Sequence, residues 1–236
     1  MKKIIISNNI IEIYSSDKVI TGVGGYKETK DLEQKEKNYN QQVIRRRNNV
    51  RHLVCCNFTE NDKFFTLTFS KNETDLNYCN AKFKKFIKVL KSKYKIKNFK
   101  YLAVIEFQKR GAIHYHIICN LPYVPQKDLQ ELWGNGFVWI NCIKNIDNLG
   151  AYVVKYMTKE TSDKRLQGNK GYLCSKGLKR PVEVSNMQNT NRDLFQFYNN
   201  LVEKSTKNIA PVYCSEYEND YLGHVTYKQF NLSKRE

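Results

Sequence analysis

Two histidines one residue apart, His114 and His116, fall on one face of any extended strand, because strand side chains alternate with period two. Neutral imidazoles on neighbouring same-side positions are natural ligands for a divalent ion. A hairpin supplies a third ligand. Lys109-Arg110-Gly111 reads as a three-residue loop with glycine at the left-handed position. Gln108 then opposes Ala112, Glu106 opposes His114 and Val104 opposes His116. Cross-strand partners share a face with Cβ atoms about 5 Å apart, so Glu106 converges with both histidines. A loop one residue longer or shorter would turn Glu106 to the other face. Two imidazoles and a carboxylate suit Mg²⁺ or Mn²⁺, with imidazole favouring Mn²⁺, and an open coordination side would polarise a phosphoryl oxygen.

The second constellation is Tyr152, Lys155, Tyr156 and Lys159, at positions i, i+3, i+4 and i+7 of one helix face. Val153, Val154 and Met157 lie elsewhere on the same helix. Taken alone this is an amphipathic helix with tyrosines at the core edge and snorkelling lysines. Beside a site of two histidines and an acid it acquires a chemical reading. A tyrosine hydroxyl attacks phosphorus when a cation lowers its pKa and a metal activates the phosphate, and the lysines can hold phosphate or phenolate.

These residues need a scaffold. Residues 2–6, 10–14 and 19–23 read as short strands, and 28–52 as a polar helix-permissive stretch ending in Arg45, Arg46 and Arg47. That basic run is a solvated helix face or a phosphate-contacting arm. Residues 63–70 make a strand with Phe65, Leu67 and Phe69 on the core face and Phe64, Thr66, Thr68 and Ser70 on the other. The two threonines lie within approach of the ligand site. Asp75 or Asn77 caps a helix over 77–94 whose apolar stripe is Phe83, Phe86, Ile87 and Leu90. Strands follow over 99–107 and 112–120, a short helix over 126–133, a strand over 137–144 and a helix over 149–160 capped by Asp147 or Asn148. Trp133 and Trp139 are assigned to the core. A helix over 188–204 and a hairpin over 211–230 close the chain. The order β-α-β-β-α-β-α indicates an α+β, mainly antiparallel, ferredoxin-like sheet with helices on one face. It divides the chain into an N-terminal extension (1–52), a core (53–185) and a C-terminal helix and hairpin packed on that core (186–236).

Composition limits the partners. The 236 residues carry 40 Lys+Arg against 23 Asp+Glu, a formal +17, while 41% hydrophobic and 13% aromatic content argues for a folded body. The partner is therefore acidic, nucleic acid before an anionic surface. No apolar run is long enough for a membrane span or a signal peptide. The seven cysteines form no Cys-x-x-Cys pair, so cytoplasmic reduced thiols are expected. No P-loop motif is present, so no ATPase of that type is expected.

Residues 64–70, then Glu106 with His114-Tyr115-His116, then 152–159 resemble, in order, the three motifs of HUH endonucleases. More closely, the chain resembles rolling-circle replication initiators of bacterial plasmids, phages and integrated elements. Residues 101–120, opening Tyr-Leu-Ala-Val-Ile-Glu-Phe-Gln, are similar to that group's signature, and Ser175-Lys-Gly-Leu-Lys-Arg-Pro to the block after the third motif. The likeness runs over 45–185. It implies an RRM-like antiparallel sheet with Glu106, His114 and His116 holding Mg²⁺ or Mn²⁺. It implies tyrosine attack on a single-stranded origin phosphate, a 5′-phosphotyrosyl link, and a free 3′-OH for a host DNA polymerase behind a host helicase. Tyr156 is preferred for first cleavage, with Tyr152 as a second nucleophile or support, and Lys155 and Lys159 beside them. Arg110, Lys176, Lys179 and Arg180 are candidate DNA contacts, as are Arg45, Arg46 and Arg47. A related transposase or relaxase, and a non-catalytic single-strand binder on an RRM-like sheet, are the alternatives.

Overall fold

The computed structural model describes residues 1–18, 31–157, 171–187, 191–219 and 221–233. Lys159 and the strand expected over 19–23 lie outside them. The chain divides into two compact units, Leu32–Lys179 and the pair of segments Met1–Asp31 and Arg180–Glu236.

The unit Leu32–Lys179 is built on a five-stranded antiparallel sheet. Its strands are β3 (Lys63–Leu67), β4 (Tyr101–Phe107), β5 (Ile113–Cys119), β6 (Val138–Asn141) and β7 (Tyr172–Cys174), in the order β6-β3-β5-β4-β7. Every residue of the central strand β5 is buried. One face carries Phe65, Leu67, Ile105, Phe107, Ile113, Tyr115 and Ile117. Two helices cover it. In α2 (Leu76–Lys93), Asp75 caps the first turn by accepting the N–H groups of Asn77 and Tyr78 at 2.8 and 3.1 Å. Cys79, Phe83, Phe86 and Leu90 then repeat at helical spacing toward the sheet. The short α3 (Gln126–Trp133) adds Leu129 and Trp133 and stops at Gly134, whose φ of 59° is the left-handed C-terminal conformation.

The expectation of helices on one face is met by α2 and α3. The opposite face has a helical cover as well. There Phe64, Leu102, Val104 and Ile118 pack with α1 (Leu32–Asn57) through Val50, Leu53 and Val54, and with α4 (Leu149–Val154) through Leu149, Val153 and Val154. The boundary expected after residue 52 therefore falls inside α1, whose buried last turns belong to this core.

The other unit is a second antiparallel sheet, ordered β8-β1-β2-β10-β9. Its strands are β1 (Lys2–Ser7), β2 (Ile10–Ser16), β8 (Val182–Ser185), β9 (Tyr213–Asn219) and β10 (Gly223–Asn231). Ile4, Ile11, Val184 and Phe230 meet Val202 of α5 (Arg192–Thr206). The strand 182–185, placed by the sequence within the central segment, pairs instead with β1, and the C-terminal hairpin pairs with β2. On the far face of β2, Glu12 is fully buried and accepts the Tyr227 hydroxyl at 2.6 Å. No disulfide joins any of the seven cysteines. Among the described residues no helix is long and apolar enough to cross a membrane.

Candidate functional site

The β4–β5 hairpin has the register that loop length demands. Gln108 N–H bonds Ala112 O at 2.8 Å, and Gly111, with φ 89°, closes the turn by donating to Gln108 O. Glu106 therefore faces His114, and Val104 faces His116. His114 and His116 are 8% and 4% exposed, in the middle of a sheet. Imidazoles so placed need polar partners. His116 has two: Thr66 Oγ1 stands 2.9 Å from its Nδ1, and Glu106 Oε2 stands 2.6 Å from its Nε2. The same Glu106 oxygen is 4.0 Å from His114 Nδ1. The hydrogen bond from His116 holds the Glu106 carboxyl below the usual carboxylate range against the opposing effect of burial. Burial in turn pushes the His114 imidazole below its ordinary value, keeping it neutral, although Glu106 pulls the other way.

The tyrosines reach this pair from α4 and the turn behind it. Asn148 caps α4 by accepting the Ala151 N–H at 2.9 Å. The helix then tightens, with Tyr156 N–H bonding Val153 O and Met157 N–H bonding Val154 O. Gly150 sets the depth: a Cβ there would lie 2.5 Å from Arg51 O and 2.7 Å from Cys55 Sγ, so only glycine lets α4 approach α1 this closely. The Tyr156 ring stacks on His116 with centroids 4.0 Å apart, and the Tyr152 and Tyr156 hydroxyls are 3.2 Å apart. Phe64, from the same face of β3, packs against both tyrosines at 5.3 and 5.4 Å. Lys155 Nζ lies 3.7 Å from the Tyr152 ring centroid and 4.9 Å from that of Tyr156, a cation over two π faces. Burial and the hydrogen bond with Tyr152 push the Tyr156 hydroxyl well above the usual tyrosine value.

Six residues chosen from the sequence thus meet: Glu106, His114, His116, Tyr152, Lys155 and Tyr156. Arg110 is exposed at the tip of the same hairpin, its carbonyl held by Asn72, and its charge adds to the lowering of the His114 imidazole. Lys176, Lys179 and Arg180 are exposed after β7. On α1, Arg45 is exposed, and Arg46 Nη1 is buried with no hydrogen-bond partner among the described residues. Among the described residues, no hydrogen bond or ring contact joins these basic side chains, or Arg47, to the histidine–tyrosine cluster. Sequence reasoning placed Thr66 near the site but not on His116, and it put Trp139 in the core. Trp139 is 67% exposed, because β6 is an edge strand and Trp139 pairs with Thr66 on the site face.

Does this donor set suit a divalent ion? In type it does, with two neutral nitrogens and one anionic oxygen side by side. In spacing it is contracted. Ligand atoms sharing one ion at about 2.1 Å stand about 3 Å apart, whereas His116 Nε2 and Glu106 Oε2 are 2.6 Å apart. Among the described residues no three His, Cys, Asp or Glu side chains form an open metal cluster. Nε2 and a carboxylate oxygen at hydrogen-bond distance need a proton or a cation between them. Here the proton sits on Nε2 and the Thr66 hydroxyl donates to Nδ1. With a cation at Nε2 the hydrogen belongs on Nδ1 and Thr66 accepts it, and a hydroxyl can do either.

Comparison with protein families gives one match. Residues 62–161 match the family model of the replication-associated protein ORF2. The match runs from the residue before β3 to just beyond Lys159, and it contains all six clustered residues. It covers less than half of the chain, so the segment is similar to this replication-associated family, and the match supports a role in replication. Its limits are narrower than the 45–185 resemblance, leaving Arg45, Arg46, Arg47, Lys176, Lys179 and Arg180 outside. Comparison with curated proteins gives no match, and comparison with solved structures gives none either.

Proposed function

We propose that this chain is a cytoplasmic initiator of rolling-circle replication that nicks and rejoins single-stranded origin DNA through a tyrosyl–DNA intermediate. The observation that carries the reading is the Tyr156 ring stacked 4.0 Å from His116, itself bonded to Glu106. A nucleophile from one element and a histidine–carboxylate set from another meet on one sheet face, within a segment similar to replication-associated proteins. Glu106, His114 and His116 would hold Mg²⁺ or Mn²⁺, which when bound supplies a Lewis acid for a phosphoryl oxygen. The Tyr156 oxygen forms a bond to phosphorus, the P–O3′ bond breaks, and the tyrosine proton ends on the departing 3′-oxygen. One phosphoester replaces another, so rejoining is the reverse step and no nucleotide triphosphate is consumed. Tyr152, in hydrogen-bond contact with Tyr156, is placed to receive that proton or to act as the second nucleophile. The 3′-OH is a primer for a host polymerase, and strand separation falls to a host helicase.

A second reading has one observation in its favour. The Glu106–His116 bond spends on each other the atoms that would ligate an ion, as a purely single-strand-binding module would allow. Covalent trapping separates the two. The protein is mixed with a single-stranded DNA pool containing its origin and Mn²⁺, digested with nuclease and trypsin, and analysed by mass spectrometry. The expected result is a nucleotide adduct on Tyr156 or Tyr152 that EDTA abolishes. Tight DNA binding with no adduct would leave only the binding module.

The Thr66 contact gives a separate prediction. Thr66→Val removes the group that orients His116 and accepts its Nδ1 hydrogen. Loss of such an outer hydrogen bond costs about 10–100-fold in metal affinity. Mn²⁺ titration followed by electron paramagnetic resonance is expected to show that weakening, with Thr66→Ser restoring it. Equal affinity in all three proteins would remove Thr66 from the site.

A further inference from the structure

Val138 of β6 is fully buried, yet the aromatic residues on either side of it, Phe137 and Trp139, are 63% and 67% exposed. Edge strands ordinarily carry charged or small polar residues, because exposed apolar edges invite unwanted pairing. Large aromatics kept in water at such a place have a partner that covers them.

Register shows where they face. Trp139 pairs with Thr66, Thr66 with His116, and His116 with Val104, a single row across four strands. Trp139 is therefore on the same face as His116, two strand spacings or about 10 Å away. Phe137, two residues earlier, continues that face about 7 Å further along the chain direction. Its position is fixed at both backbone groups: its carbonyl accepts the Thr68 N–H at 3.0 Å, and its N–H approaches Thr68 Oγ1 at 3.3 Å. Val138, packed into the core on the other face, anchors both rings from behind.

We propose that Phe137 and Trp139 form a stacking platform for two unpaired nucleobases of the strand whose phosphate lies at Tyr156. The inference rests on the nicking reading above and adds a base-binding subsite to it. Two observations select nucleobases over other occupants. The platform continues the row that contains His116, and the chain's +17 favours a polyanion. Stacking of this kind is tolerant of sequence, since every base has a π face, so the platform holds the strand while other contacts choose the cleavage site.

The test uses the full chain in EDTA, so that binding is read without chemistry. The probes are a dT oligonucleotide of about twenty residues and an abasic oligonucleotide of equal length. The chain has two tryptophans, and Trp133 is buried at 2% exposure with its Nε1 donating to Thr68 O, so emission from exposed indole reports Trp139. The dT strand is expected to quench that emission, and the abasic strand to bind without quenching. Trp139→Ala is expected to weaken dT binding about tenfold or more by anisotropy, leave abasic binding unchanged, and be rescued by Trp139→Phe. Unquenched emission with equal dT affinity in wild type and Trp139→Ala would overturn the platform. A change of oligomeric state in Trp139→Ala without loss of dT affinity would reassign the patch to protein contact. Quenching together with no covalent adduct in Mn²⁺ would sink the nicking reading and leave the platform. Failure of both oligonucleotides to bind would sink both.

Discussion

Tyr156→Phe is expected to lower covalent adduct formation by about a thousandfold or more, whereas Tyr152→Phe stays within about tenfold of wild type for first cleavage. Both substitutions remove one hydroxyl and leave the ring, so packing against Phe64 survives and the comparison isolates chemistry. Tyr156 is the residue whose ring lies on His116, while Tyr152 contacts the site through the Tyr156 hydroxyl. The raised pKa of Tyr156 adds a pH signature. Burial and the Tyr152 hydrogen bond both favour the neutral hydroxyl in the ion-free protein. A raised pKa means less phenolate at a given pH, and its fraction grows tenfold per unit as pH rises. Single-turnover cleavage is therefore expected to climb through pH 7–9 with no plateau below the ordinary tyrosine value of about 10. Tyr152→Phe deletes one of the raising influences, so its profile shifts toward lower pH. Mass spectrometry of the adduct and a quench-flow pH series check both statements. An adduct that persists in Tyr156→Phe and vanishes in Tyr152→Phe would exchange the two roles.

The site was legible in the sequence to the extent that short-range rules govern it. Loop length and the period of two fix Glu106 opposite His114 and Val104 opposite His116, and a three-residue turn with Gly111 leaves no other register. The i, i+4 spacing brings Tyr152 to Tyr156 even though the helix stops at Val154 and the next turn tightens. What joins the two halves is long-range. Nothing local says that Gly150 lets α4 sink onto α1, or that Phe64 meets both tyrosines.

The second helical layer did leave a signal. Residues 101–105, Tyr-Leu-Ala-Val-Ile, are apolar on both faces, and Phe64 is apolar on the ligand face of β3. Near-continuous apolar strands are buried on both sides, so a helix over the ligand face follows from the pattern itself. Trp139 was misplaced because residue type was allowed to outweigh register: its position opposite Thr66 on an edge strand decides its exposure. The second sheet was the least legible part. Its strands come from both ends of the chain, β8 has four residues with two of them exposed, and the buried acid Glu12 is accounted for by Tyr227, 215 positions away. Pairing between chain ends depends on which edge each strand finds, and alternation within one strand carries no information about that.

Removing one ligand at the histidine–carboxylate set gives the second large effect. His116→Ala is expected to reduce adduct formation by about a thousandfold, matching wild type in EDTA. That variant also leaves Glu106 and Thr66 without their partner and a void under the Tyr156 ring, so lost activity alone would not separate ligation from packing. Glu106→Gln resolves this. The amide keeps the shape and a hydrogen bond to His116 but loses the charge that attracts a cation. It is expected to fold with an unchanged melting temperature to within a few degrees, to lose Mn²⁺ binding, and to form almost no adduct. The acid limb of wild-type activity follows from the same groups. Glu106, held below the usual carboxylate range by its bond from His116, stays anionic as pH falls. His114, pushed down by burial, stays neutral below the ordinary histidine value of about 6.5, so protons displace the ion from it only below that pH. Mn²⁺ affinity measured against pH is therefore expected to hold constant down to about pH 6.5 and to weaken beneath it. Full adduct formation by Glu106→Gln at wild-type Mn²⁺ concentrations would show that the carboxylate orients His116 without holding an ion, and the metal would then have to be sought elsewhere on the site face.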